Sequence, residues 1–74
     1  MRFELNGEYR QLSPAPLSVY QLIINEGLLK AESKEPRPGI AIAINQQIVP
    51  RSQWPVRCIQ PDDKVDLFQA IAGG

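Results

Sequence analysis

A chain of 74 residues with one cysteine, Cys58, and no histidine excludes an internal disulfide, zinc sites built on Cys and His, and triads with His as base. Eight basic and eight acidic side chains cancel to a net charge of zero, so nothing draws the chain toward nucleic acid or an anionic membrane. A 43% hydrophobic and 22% charged composition predicts one globular domain over residues 1–74, held together by packing.

Residues 1–5 predict a strand with Met1, Phe3 and Leu5 on one face and Arg2 and Glu4 on the other. The same alternation is unlike a signal peptide, and no apolar run approaches the roughly 20 residues of a membrane span. With its free thiol, the chain is expected to be soluble and cytoplasmic. Asn6-Gly7 is a strong hairpin signal because both residues tolerate positive φ, and a second strand is expected over residues 8–12. Pro14 and Pro16 break it, since neither can donate to a ladder. Ser18 with Gln21 makes a capping-box pattern, and Leu17 with Leu22 a hydrophobic staple. Val19, Leu22 and Ile23 then form the apolar stripe of a short helix over 19–26, closed by Gly27.

Residues 30–39 are polar and read as a solvated loop. Ile40, Ile42 and Ile44 alternate with Ala41 and Ala43, predicting a strand with a bulky core face and a small-residue outer face. Asn45-Gln46 is the expected turn into a brief strand over 47–49. After Pro50, residues 51–55 are expected to form an irregular or 3₁₀ segment that seats Trp54. Pro61-Asp62-Asp63 predicts another turn, and residues 65–71 the last strand. One helix across one face of a mixed sheet, in this element order, is the α+β arrangement of the β-grasp (ubiquitin-like) fold. The other sheet face is left for solvent or a partner.

The last strand does not alternate cleanly. Val65 and Leu67 fit the core face, yet Phe68, Ala70 and Ala72 make the opposite face apolar as well. Either the strand is covered on both sides, or Phe68 folds over an edge, or Phe68 anchors a partner on the open face. The last reading is favoured because only one helix is available to cover the sheet. Ala41 and Ala43 would then flank Phe68 as a flat floor.

Gly73-Gly74 follows directly on this strand. Two residues without Cβ make a slim, flexible tail that can thread a channel where a side chain would clash. Such a tail presents the α-carboxylate of Gly74, a poor electrophile until ATP and another protein convert it to a mixed anhydride. The chain has no phosphate loop and no candidate base near that terminus, so it is expected to be a substrate and not an enzyme.

The whole chain resembles the ThiS family of small ubiquitin-like sulfur carriers. The matching residues are the Asn6-Gly7 hairpin, the stretch AINQQIVPRSQW from Ala43 to Trp54, and the closing LFQAIAGG from Leu67 to Gly74. The resemblance implies that an activating enzyme adenylates Gly74 with ATP, the carrier itself binding no cofactor. Sulfur originating from a cysteine desulfurase or another donor leaves Gly74 as a thiocarboxylate, and thiazole synthase receives it. It further implies that Gly73 gives the tail its reach and that Phe68 contacts the activating enzyme; from the strand pattern, Ala72 is expected to thread with Gly73, and Ala70, Ala41 and Ala43 to join Phe68 in the partner contact. The free carrier is expected to be a monomer. Asp62 stands where relatives carry glycine, and the 30–39 loop is longer than usual. A molybdopterin-type sulfur carrier, a ubiquitin-like protein modifier and a non-covalent interaction module are the alternatives.

Four other features read as structural. Cys58 is expected to be a small buried apolar residue. Asp62, Asp63 and Asp66 are expected to be solvated and not a metal cluster. Trp54 is expected to fill a satellite core under its loop. Arg51 is either solvated or paired with a partner's carboxylate.

Overall fold

Alternation of Phe3 and Leu5 with Arg2 and Glu4 produces the first strand, β1 (Arg2–Leu5), in the computed structural model, which describes residues 1–28 and 39–69. The expected loop before Gly39 and the expected site residues Ala70, Ala72, Gly73 and Gly74 lie outside the described residues. Asn6 (φ 49°) and Gly7 (φ 84°) reverse the chain into β2 (Glu8–Gln11), the left-handed pair that a tight two-residue hairpin requires. Met1, expected on the core face, is 81% exposed, whereas Phe3 and Leu5 are buried.

Helix α1 (Val19–Asn25) starts and stops as its sequence signals dictate. Ser18 Oγ accepts the Gln21 N–H at 3.0 Å. The returning half of the capping box is not made, because the Gln21 side chain donates to Asn25 Oδ1 instead. The carbonyls of Arg57 and Trp54 accept the N–H groups of Val19 and Tyr20, so a loop from the far end of the chain satisfies the helix start. At the other end Gly27 (φ 74°) donates to Ile24 O and Leu28 to Ile23 O, a Schellman closure.

Three further strands complete the sheet: β3 (Ile40–Ile44), β4 (Gln47–Ile48) and β5 (Lys64–Gln69). Their order is β2-β1-β5-β3-β4, with β1 and β5 parallel and the other neighbours antiparallel. Asn45 (φ 51°) and Gln46 (φ 70°) form the β3–β4 turn, and Asp62 (φ 66°) carries the left-handed conformation in the turn before β5. Aspartate therefore does at that position what glycine would do with less strain.

The core lies on one side of the sheet. Val19, Leu22 and Ile23 of the helix meet Phe3, Leu5, Ile42, Ile44 and Val65 of the strands. Trp54 joins this main core instead of a satellite, at 2% exposure, held by the 3₁₀ turn Arg51–Gln53 and by its Nε1 donating to Val49 O at 3.1 Å. Arg10 and Glu26 close the helix onto β2 through two 3.3 Å contacts. Among the described residues no helix is long and apolar enough to cross a membrane. The arrangement is the ubiquitin-like β-grasp.

Candidate functional site

Because the helix covers one face only, the opposite face of the sheet is open, and its two halves differ in chemistry. On β1, β2 and the start of β5 the outward residues are Arg2, Glu4, Tyr9, Gln11 and Lys64, with the Arg2 guanidinium 3.9 Å from the Tyr9 ring centroid. On the remaining strands the outward residues are Phe68, Ala41, Ala43 and Ile48, interrupted by Asp66. The register fixes this apolar strip. Ala41 stands opposite Phe68, and Ala43 stands opposite Asp66 on one side and Ile48 on the other.

Phe68 is 59% exposed, so it stands on the open face of the sheet and neither covering alternative holds. Strand β5 is central, yet only its Val65 face is covered. Ala41 is exposed beside Phe68, as expected of a flat floor. Ala43 is only 6% exposed; a methyl between two longer neighbours offers little surface of its own. Ile48, at 69% exposed, extends the strip and was not singled out by sequence. The signal for it was present: a two-residue turn at Asn45-Gln46 pairs Ile48 with Ala43 and so turns both to the same face.

The structural residues sort differently from their expectations. Asp63 is a buried carboxylate at 7% exposure, not a solvated one. Its Oδ1 accepts from Asn45 Nδ2 at 3.0 Å and its Oδ2 from the Gln60 N–H at 2.8 Å, with Arg57 Nη2 at 3.9 Å. Asp62 is exposed and Asp66 half-buried, and among the described residues no three acidic or thiol groups gather as a metal site. Cys58 is half-buried instead of fully buried, its Sγ 4.0 Å from Val56 O. Arg51 is exposed, as the solvated alternative had it, and its guanidinium also lies 5.1 Å from the Trp54 ring centroid, a cation–π contact that neither alternative described.

A second set of contacts holds β5 from both hairpin turns. The Asn6 carboxamide accepts the Leu67 N–H at 2.8 Å and donates to Leu67 O at 3.2 Å. At the other end of the strand Asn45 Oδ1 accepts the Lys64 N–H at 3.0 Å. Both asparagines are the left-handed residues of hairpin turns, and both turn their amides onto the same strand.

A β-grasp domain with an open apolar strip on the strand that leads to its C-terminus belongs to the ubiquitin-like class. The sequence model of the ThiS family matches residues 3–74, and the chain belongs to that family. It is similar to the sulfur carrier protein ThiS of Escherichia coli (strain K12), with 61% identity over 36 residues, 49% of this chain; the aligned part spans about half of that relative's length, 54%. The fold is similar to the crystal structure of the thiamine biosynthesis protein ThiS from Geobacter metallireducens, with a TM-score of 0.73, 20% identity and 100% coverage of both chains. It is likewise similar to the solution structure of a thiamine biosynthesis protein from Geobacter metallireducens, with a TM-score of 0.71, 20% identity, and coverage of 100% of this chain and 88% of the other.

Proposed function

We propose that this chain is a sulfur carrier of thiamine biosynthesis, a protein co-substrate and not an enzyme. The observation that carries the reading is the family match running through Gly73-Gly74. In the proposed cycle an activating enzyme joins the Gly74 carboxylate to the AMP portion of ATP, and pyrophosphate leaves. Sulfur from a persulfide, supplied by a cysteine desulfurase or another donor, attacks the acyl carbon, and AMP departs. A second thiol, from the activating enzyme or a small-molecule reductant, then attacks the donor sulfur of the resulting acyl disulfide, which forms a new disulfide on the donor side and releases the Gly74 thiocarboxylate; this hands its sulfur to thiazole synthase. Gly73 and Ala72 carry the reactive end into the partner, and Phe68, Ala70 and Ala41 supply apolar contact. The ATP belongs to the partner.

The test is the intact mass of the chain after incubation with ATP, the activating enzyme and a sulfur donor. A gain equal to one oxygen replaced by sulfur, mapped to Gly74, is expected. Ladders of conjugates to lysine would make the chain a protein modifier instead. An unchanged mass, with an enzyme that converts a known carrier in parallel, would overturn the reading.

Phe68→Ala tests the docking surface. The ring is still 59% exposed in the free protein, and complete burial of such a side chain is worth about 1.5–3 kcal/mol. Covering the exposed part is therefore expected to account for about 1–2 kcal/mol, or roughly five- to twentyfold in affinity for the activating enzyme. The thermal midpoint should change little, since the ring supports no core contact on the helix side. A large drop in midpoint with normal affinity would make Phe68 a folding residue.

A further inference from the structure

We propose that Asn6 is a positioning residue for the reaction at Gly74, its carboxamide fixing the direction in which the last strand leaves the sheet; this rests on the sulfur-carrier reading. Parallel pairing of β1 with β5 runs through Glu4 opposite Lys64 and Leu5 opposite Val65, and the Asn6 N–H still donates to Val65 O at 2.9 Å. There the β1 backbone turns away, because Asn6 and Gly7 take left-handed conformations to enter the hairpin. One strand step further, Leu67 would face no neighbour on that side.

The Asn6 side chain fills that place. With Oδ1 taking the Leu67 N–H and Nδ2 reaching Leu67 O, one carboxamide reproduces the donor and acceptor of a peptide group. Phe68 and Gln69 beyond it are held in register by β3 alone, opposite Ala41 and Ile40. Among the described residues Asn6 is thus the last anchor on the β1 side before the reactive end. Both bonds lie at the protein surface, so their removal is expected to cost the fold little. What they set is where β5 stands at Leu67, the point from which a partner must take up the rest of the chain.

The measurement is steady-state pyrophosphate release with an activating enzyme of the family's partner type, together with amide hydrogen exchange at Leu67. Asn6→Gly keeps the positive φ of the turn and removes both bonds. It is expected to lower kcat about tenfold, the scale on which a misplaced reacting group slows a bound reaction, with KM within about twofold. The Leu67 amide should exchange faster in this variant. Asn6→Asp retains an acceptor for the Leu67 N–H and should restore part of kcat.

Asn45→Gly removes the matching contact at the other end of β5. It should lower the thermal midpoint and leave kcat at the level of the unaltered chain. Faster exchange at Leu67 with unchanged kcat would overturn the proposal, as would an equal loss of kcat in Asn45→Gly. If the unaltered chain releases no pyrophosphate with an enzyme active on a known carrier, the sulfur-carrier reading itself fails.

Discussion

Adding one bulky residue after Gly74 is expected to abolish adenylation while the circular dichroism spectrum and thermal midpoint stay those of the unaltered chain. The core that holds the fold together is built from residues 3–65 on the helix side of the sheet, so an addition beyond Gly74 removes none of its contacts. The reacting group, by contrast, changes entirely. The Gly74 carboxyl becomes an amide, which does not attack the α-phosphate of ATP, and the new carboxyl carries a Cβ that glycine lacks. Pyrophosphate release falling below detection, in a chain that folds normally, is the expected result. Retained release would contradict the argument that a slim tail must thread a narrow channel.

Trp54→Ala is expected to be the most damaging single change to the fold. Replacing a fully buried Trp by Ala costs about 3–5 kcal/mol. At about 0.05–0.15 kcal/mol per residue, a chain of this length has on the order of 4–11 kcal/mol to lose. Each kcal/mol moves the midpoint by about 4–8 °C in a domain of this size, so a fall of at least about 12 °C is expected in a thermal melt. Trp54→Phe separates the two contributions. It keeps most of the ring, loses the bond to Val49 O, and should cost about 1–3 kcal/mol for the carbonyl left without its donor. A midpoint unchanged in both variants would mean that Trp54 is dispensable to the core.

The fold was legible in this sequence because its signals are local and agree with one another. Asn6-Gly7, Ser18 with Gln21, Gly27 and Asn45-Gln46 each specify a backbone conformation within a few residues, and each does so in the structure. Alternation at Ile40, Ile42 and Ile44 placed the core face of β3, and the imperfect alternation at Phe68 marked the open face. Ile48 was equally available from the pairing across its turn. Asp63 and Asn6 were not. Asp63 accepts the Gln60 N–H within its own turn, but its contact with Asn45 and that of Asn6 with Leu67 span 18 and 61 residues, a separation that neither periodicity nor turn chemistry can read. Asp63 stood among other acidic residues at a turn, and composition alone assigned it to solvent. Met1 failed for a simpler reason: its carbonyl still accepts the Leu12 N–H, but its side chain lies past the edge of the core and is 81% exposed.

The strand order has a mechanical consequence. Strand β5 lies between β1, which runs parallel to it, and β3, which runs antiparallel. A pull on the chain beyond Gln69, with the sheet face held, acts along β5 while the ladder bonds on both sides run across it. The bonds are loaded in shear and must yield together, instead of opening one after another as at a peeled edge. The body of the domain therefore resists such a pull as one piece.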